Sequence, residues 1–296
     1  LAVLLAIEAV NTTRESDGTV LRQAEEALHA AVGADRLVST AMVEQWAHSV
    51  AYDPDGGRYF VAGRLTGDVV ALPDSEVVAD LDVPAVADGS ASIAGLAIAG
   101  ASGELLVVSH YNSNLIHVLE RDTLEERYAL ETLPGWVTDL DVSADGMTLA
   151  SVNQNTAIAT VWDLGEGAVM REFDCSGGCR GVALSDDAGL VAAGGTVWNV
   201  AGGETVLAGL AAGLVSDLEF IDADRLILAD GMDARVVDLA TGDTLMTLAR
   251  HSADIRTIGV SPDGRFVATG AEDGFALVWD IGGLESSLVM ELPGHT

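Results

Sequence analysis

A short turn rich in Asp and Gly recurs six times along the chain, each time between two runs of apolar residues. It appears as Asp53-Pro54-Asp55-Gly56, Ala101-Ser102-Gly103 and Ser143-Ala144-Asp145-Gly146. It returns as Ser185-Asp186-Asp187-Ala188, Ile221-Asp222-Ala223-Asp224 and Ser261-Pro262-Asp263-Gly264. Anchored at residues 55, 102, 145, 187, 223 and 263, the copies lie 47, 43, 42, 36 and 40 residues apart. Self-similarity at a near-constant spacing marks a repeat architecture, and a spacing near forty suits one four-stranded sheet per repeat.

The segments between the turns have strand texture. Arg265 to Thr269 and Phe275 to Trp279 are short β-rich runs joined through Asp273-Gly274. That dipeptide is a strong hairpin signal, because both central positions tolerate positive φ. Short strands punctuated at this frequency predict an all-β fold rather than βαβ units.

Trp-Asp closes the third strand of a repeat twice, at Trp162-Asp163 and Trp279-Asp280, with weaker forms at Trp198-Asn199 and Val237-Asp238. Gly294-His295 has the look of a repeat opening. On these residues the chain resembles the WD40-repeat β-propeller family, strongly in the last repeat and loosely in the first two. The resemblance implies a hydrogen-bond relay in the last repeat, in which His251 meets Thr269 and Asp273, and Thr269 takes the indole N–H of Trp279. The physical need is plain, since a buried indole, imidazole and carboxylate must satisfy one another. The third repeat keeps Ser151, Asn155 and Trp162 of this set, with Trp136 where the His would stand.

Residues 46–293 supply six repeats. The β-rich segment 37–45 precedes them, and a further repeat opens at 294–296. In the resembled family one blade is commonly assembled from both chain ends. Segment 37–45 is therefore expected to be the outer closing strand of a seven-bladed parent; a closed six-bladed ring with a spare edge strand is the competing reading. Residues 1–36 differ. Val20, Leu21, Ala24, Ala27, Leu28, Ala31 and Val32 follow helical spacing, with Asp17 as N-cap and Gly33 as stop. This helical segment reads as the tail of an upstream domain. The phrasing Leu4-Leu5-Ala6-Ile7-Glu8-Ala9, then Leu21-Arg22-Gln23-Ala24 ahead of a propeller, resembles the junction in large bacterial, especially actinobacterial, STAND-type NTPase signalling proteins. A cytoplasmic location and an intramolecular contact with such an NTPase or helical domain are what that resemblance implies.

Charge excludes several functions. There are 46 acids against 14 bases, every base is Arg, and the formal charge is −32. A nucleic-acid backbone needs clustered cations, and anionic membrane surfaces repel such a chain. The acidity reads either as a solvated surface or as a field that attracts a basic partner. Without Lys, neither a P-loop nor a Schiff-base site is possible in this segment. There is no G-x-S-x-G elbow and no H-E-x-x-H helix. Asp53 and Asp55, like Asp230 and Asp233, read as turn formers rather than calcium ligands. No catalytic residue, metal or cofactor is expected. His48, His110 and His117 lack ligand-like spacing, and Cys175 and Cys179 read as two reduced thiols in a loop, with a disulfide in an oxidising compartment as the alternative.

The expected function is protein–protein interaction, as a non-catalytic scaffold or sensor. A ligand- or metal-binding enzymatic propeller, such as a lactonase type, is the alternative. Candidate contacts are polar and aromatic loop residues: Trp46, Tyr111, Asn112, Asn114, Trp136, Asn153, Gln154, Arg180 and Met232. In the fourth repeat the hairpin around Gly194-Gly195 is cut short, which predicts a notch beside Cys175 to Arg180 where a partner segment lodges.

Overall fold

The computed structural model describes residues 47–53, 58–63, 67–71, 76–81, 92–111, 113–175, 178–283 and 285–293. The expected helical segment 1–36 and the expected closing strand 37–45, with Trp46, Asn112 and residues 294–296, lie outside the described residues. Among the described residues the fold is all-β, in six four-stranded antiparallel sheets.

The first sheet holds β1 to β4 (Ala47–Asp53, Arg58–Gly63, Gly67–Ala71 and Glu76–Leu81). The second holds β5 to β8 (Ser92–Ala99, Leu105–Tyr111, Leu115–Glu120 and Glu126–Glu131). The third holds β9 to β12 (Val137–Val142, Thr148–Asn153, Ile158–Asp163 and Ala168–Asp174). The fourth holds β13 to β16 (Val182–Leu184, Leu190–Ala193, Thr196–Asn199 and Thr205–Leu207) and has the shortest strands. The fifth holds β17 to β20 (Val215–Phe220, Arg225–Asp230, Asp233–Asp238 and Thr244–Ala249). The sixth holds β21 to β24 (Ile255–Val260, Phe266–Ala271, Phe275–Asp280 and Ser287–Pro293).

Each sheet is a simple meander, with neighbours in the chain paired in space. The first strands of successive sheets pack on one another, β1 on β5, β5 on β9, and so on to β21. They are therefore the inner strands, and the fourth strands lie outermost. In every sheet the register slips by one residue between the third and fourth strands, next to Trp162, Trp198 and Trp279 or the residue in their place. A bulge there bends the outer strand and sharpens its twist. This is the blade geometry of a β-propeller.

The core lies between sheets rather than within one. Ile227, Ala229 and Val236 of the fifth sheet cluster with Ile255, Val267, Leu277 and Trp279 of the sixth. Leu226, Leu228 and Val237, from the opposite face of the fifth, cluster with Ala183, Ala192 and Val197 of the fourth. Both faces of an inner sheet are thus buried, which is why strands such as Leu105–Tyr111 are buried along almost their whole length.

Three of the recurring turns share one chemistry. The Ser143, Ser185 and Ser261 hydroxyls donate to Asp145, Asp187 and Asp263 at 2.6, 2.8 and 2.6 Å. The same serine oxygens accept the N–H that opens the second strand, at Thr148, Leu190 and Phe266. Gly146 and Gly264 take positive φ of 71° and 65° at the tip. A side chain on Gly146 would meet the Gly100 carbonyl of the previous sheet, 2.2 Å from its Cβ, so the turn is also a seam between sheets.

Candidate functional site

Antiparallel meanders with parallel inner strands put the turns at two ends. The first-to-second and third-to-fourth turns share one face. The second-to-third turns and the segments leading into each inner strand share the other, where the sequence places its candidate contacts. The two faces differ in chemistry. The first carries Ser–Asp turns and Asp–Arg pairs, such as Arg225 with Asp222 and Arg265 with Asp280. Of the exposed large hydrophobic residues described, it shows only Met147. The second exposes Leu133, Trp136, Leu214 and Met232 by 41, 43, 41 and 51%.

This second face is held in shape by hydrogen bonds. Trp136 leads into β9, and its N–H donates to Asn155 Oδ1 at 2.8 Å. Its indole meets the Tyr111 ring edge-on, with centroids 6.4 Å apart. Asn153 is 4% exposed, because Nδ2 donates to the Leu133 carbonyl and Oδ1 accepts the N–H of Asn155 and Thr156. Asn153 is thus a brace beneath the loop rather than a contact residue. Asn114 plays a similar part, donating from Nδ2 to the Thr132 carbonyl. Gln154 is half-buried and donates its backbone N–H to the Trp136 carbonyl. Met232 projects from a turn whose Gly231 carbonyl accepts the Ile255 N–H of the next sheet.

The relay residues come together. The Trp279 indole N–H donates to Thr269 Oγ1 at 3.0 Å, and Thr269 Oγ1 lies 2.8 Å from His251 Nε2. His251 Nδ1 lies 3.0 Å from Asp273 Oδ2. An indole can only donate, so the direction is fixed: Thr269 donates to Nε2, and Nδ1–H donates to Asp273. Burial alone would raise the Asp273 carboxyl, but the N–H groups of Ser252 and Phe275, with His251, hold it below the usual carboxylate range. In the third sheet the chain is shorter, with the Trp162 indole donating to Ser151 Oγ at 2.9 Å. His251 therefore acts on the fold, holding the loop that leads into β21.

Two expectations need correction. Cys175 and Cys179 are joined in a disulfide, rather than standing as reduced thiols. A separation of four lets the loop turn back on itself, and Gly194 leaves room above it: a Cβ there would lie 3.3 and 3.4 Å from the Cβ atoms of the two cysteines. The expected notch is closed as well. The segment 208–214 folds over the Gly194-Gly195 turn, with the Leu210 N–H donating to the Gly195 carbonyl at 3.0 Å. Leu210 is buried there, because a void beside Gly195 would forfeit apolar contact.

Sequence alone leaves the inner-strand acids unmarked. Asp139 Oδ2 accepts the Val182 N–H at 2.8 Å, and Asp141 Oδ2 accepts that of Leu184 at 2.6 Å. Asp217 and Glu219 repeat this on Ile258 and Val260, at 2.7 and 2.9 Å. Ser49 Oγ accepts the Leu96 N–H at 2.8 Å. Acids at i and i+2, just ahead of the turn, are the signal that marks them. Among the described residues no group of three or more His, Cys, Asp or Glu is placed to hold a metal ion.

Comparison with known proteins agrees with this architecture. Residues 242–280 match the family described as WD domain, G-beta repeat. Protein tipD of Dictyostelium discoideum is 27% identical over 135 aligned residues, which cover 40% of this chain. The chain spans only 22% of that relative's length. The chain carries a WD40 repeat at its C-terminal end, and its sheets have the arrangement of a β-propeller.

Proposed function

We propose that this chain is a protein-interaction module, a non-catalytic scaffold or sensor within a larger bacterial signalling protein, and that it docks partners on the face bearing Trp136. The observation that carries this reading is the gathering of Leu133, Trp136, Leu214 and Met232 on one face, while the opposite face is given over to charged turns. Exposed apolar groups set on a rigid scaffold mark interaction surfaces, and Trp is prominent among residues that dominate binding. The match to Protein tipD, over 40% of this chain and 22% of that relative, adds only that a similar stretch occurs within a longer chain. The seven-bladed parent and the upstream NTPase belong to the same proposal, and reading the coding DNA on both sides tests them. The enzymatic alternative has no specific observation in its favour.

A photo-crosslinking residue placed at Trp136, or at Met170 on the outer strand β12, tests the docking face. A partner captured from position 136 and not from position 170, and released by Met232→Ala, is the expected result. Capture at both positions, or binding indifferent to Met232→Ala, would overturn it.

A further inference from the structure

Among the described arginines, Arg180 stands apart. Eight others meet a carboxylate within salt-bridge distance, and Arg171 donates to the carbonyls of Val200 and Ala201. Arg180 has no such partner, and its Nε is buried without a hydrogen bond. In a chain with 46 acids and 14 bases, an arginine left unpaired runs against the odds. A buried donor without an acceptor is also costly in the unliganded molecule.

The mount of this side chain is rigid. Thr138 Oγ1 donates to the Arg180 carbonyl at 3.0 Å, tying it to the start of β9. On the other side Cys179, pinned by the disulfide, bridges to Val215 at the start of β17. Arg180 thus leads into β13 between two neighbouring inner strands. Trp136 leads into the one and Leu214 into the other, and Leu214 packs beside Gly178. An unpaired guanidinium, carried on an anchored stretch of backbone and flanked along the face by exposed apolar groups, is a ready receptor for one anionic group.

We propose that Arg180 receives a single carboxylate, from an Asp or Glu side chain or a chain terminus, borne by a partner segment next to a large apolar residue. This rests on the docking face proposed above and names the chemistry of what docks there. A carboxylate fits a guanidinium through two parallel N–H···O bonds. The field of a chain with formal charge −32 penalises a phosphate dianion or a polyanion more than one carboxylate. The same field favours a segment that is basic elsewhere.

The test is a selection of displayed random peptides on the whole chain, run in parallel on Arg180→Gln. Enriched peptides are expected to carry Asp, Glu or a free C-terminus beside Leu, Phe or Trp, and to be absent from the Arg180→Gln selection. Synthesised, they should lose about tenfold or more in affinity when the carboxylate is replaced by its amide, with the protein unchanged. Peptides that lack a carboxylate, or that bind Arg180→Gln equally well, overturn the proposal. If those same peptides are lost on Trp136→Ala, the docking face itself stands. No enrichment on the unaltered chain overturns both.

Discussion

The carboxylate of Asp139, on one inner strand, accepts the backbone N–H of Val182 on the next at 2.8 Å. Both residues are buried, at 6 and 0% exposure, so the bond replaces water for a group that would otherwise be orphaned. Asp139→Ala should lower unfolding free energy by about 1–3 kcal/mol in urea, the cost of a buried donor left unmade. Asp163→Ala, whose carboxylate caps a surface turn, should change it by less than about 1 kcal/mol. Equal losses in the two variants would show that the bond between sheets has no special weight.

The relay in the sixth sheet predicts a coupling. Thr269→Val strands both the Trp279 indole N–H and His251 Nε2, and should cost about 1–3 kcal/mol. His251→Phe should cost a similar amount, while the double variant costs clearly less than the sum, because both changes break one chain of bonds. Strict additivity in denaturant unfolding would mean that the contacts act independently.

His110 predicts a pH dependence. Burial first, then the neighbouring His117, push its pKa down from 6.5 to about 4. Both its ring nitrogens are buried without partners, 5.2 Å from the His117 ring between centroids, and His117 Nδ1 in turn faces Glu126. The folded state holds fewer protons on this ring than the unfolded state does. Its contribution is therefore intact above about pH 6.5 and is lost as pH falls toward 4, by about 3 kcal/mol in all. His110→Leu should flatten that part of the stability profile. Parallel profiles for the two proteins between pH 7 and 5 would sink this account.

The Cys175–Cys179 link predicts a redox effect on stability. Closing so short a loop is worth about 2 kcal/mol by chain entropy. A dithiol reductant should lower the melting temperature of the unaltered chain and leave Cys175→Ser/Cys179→Ser unmoved. An unaltered chain that melts at the same temperature with and without reductant would contradict the link's stabilising role.

Much of the fold is legible because its turns are chemical rather than merely polar. Ser261, Asp263 and Gly264 each supply a hydroxyl, a carboxylate or a positive φ that the turn requires. The Trp-Asp pairs are legible for a similar reason, since an indole at a bulge needs a buried acceptor. The acids of β9 and β17 escape notice because alternation along Thr138-Asp139-Leu140-Asp141 normally means one wet face and one dry face. Here both faces are dry, and a neighbouring sheet takes the place of water. Asn153 misleads for the mirror reason: a polar residue beside a turn looks like surface, yet it is spent on carbonyl and N–H groups of its own loop. The disulfide is not legible, because spacing alone does not say whether two cysteines can face each other across a glycine.

The side-chain bonds from inner strand to inner strand join the first sheet to the second, the third to the fourth, and the fifth to the sixth. At the intervening junctions the corresponding positions are Gly95 and Gly181, where a Cβ would crowd Leu140 and come within 2.9 Å of the Asp217 Cα. At this position one kind of junction is tied by side chains and the other is closed by contact, while Tyr128 with the Leu164 carbonyl and Cys179 with Val215 join the latter elsewhere. Along its inner strands the described stack of sheets therefore has a period of two repeats, a couplet of sheets at a time. Amide exchange should therefore show protection rising and falling by couplets, with the least protected boundaries at the glycines.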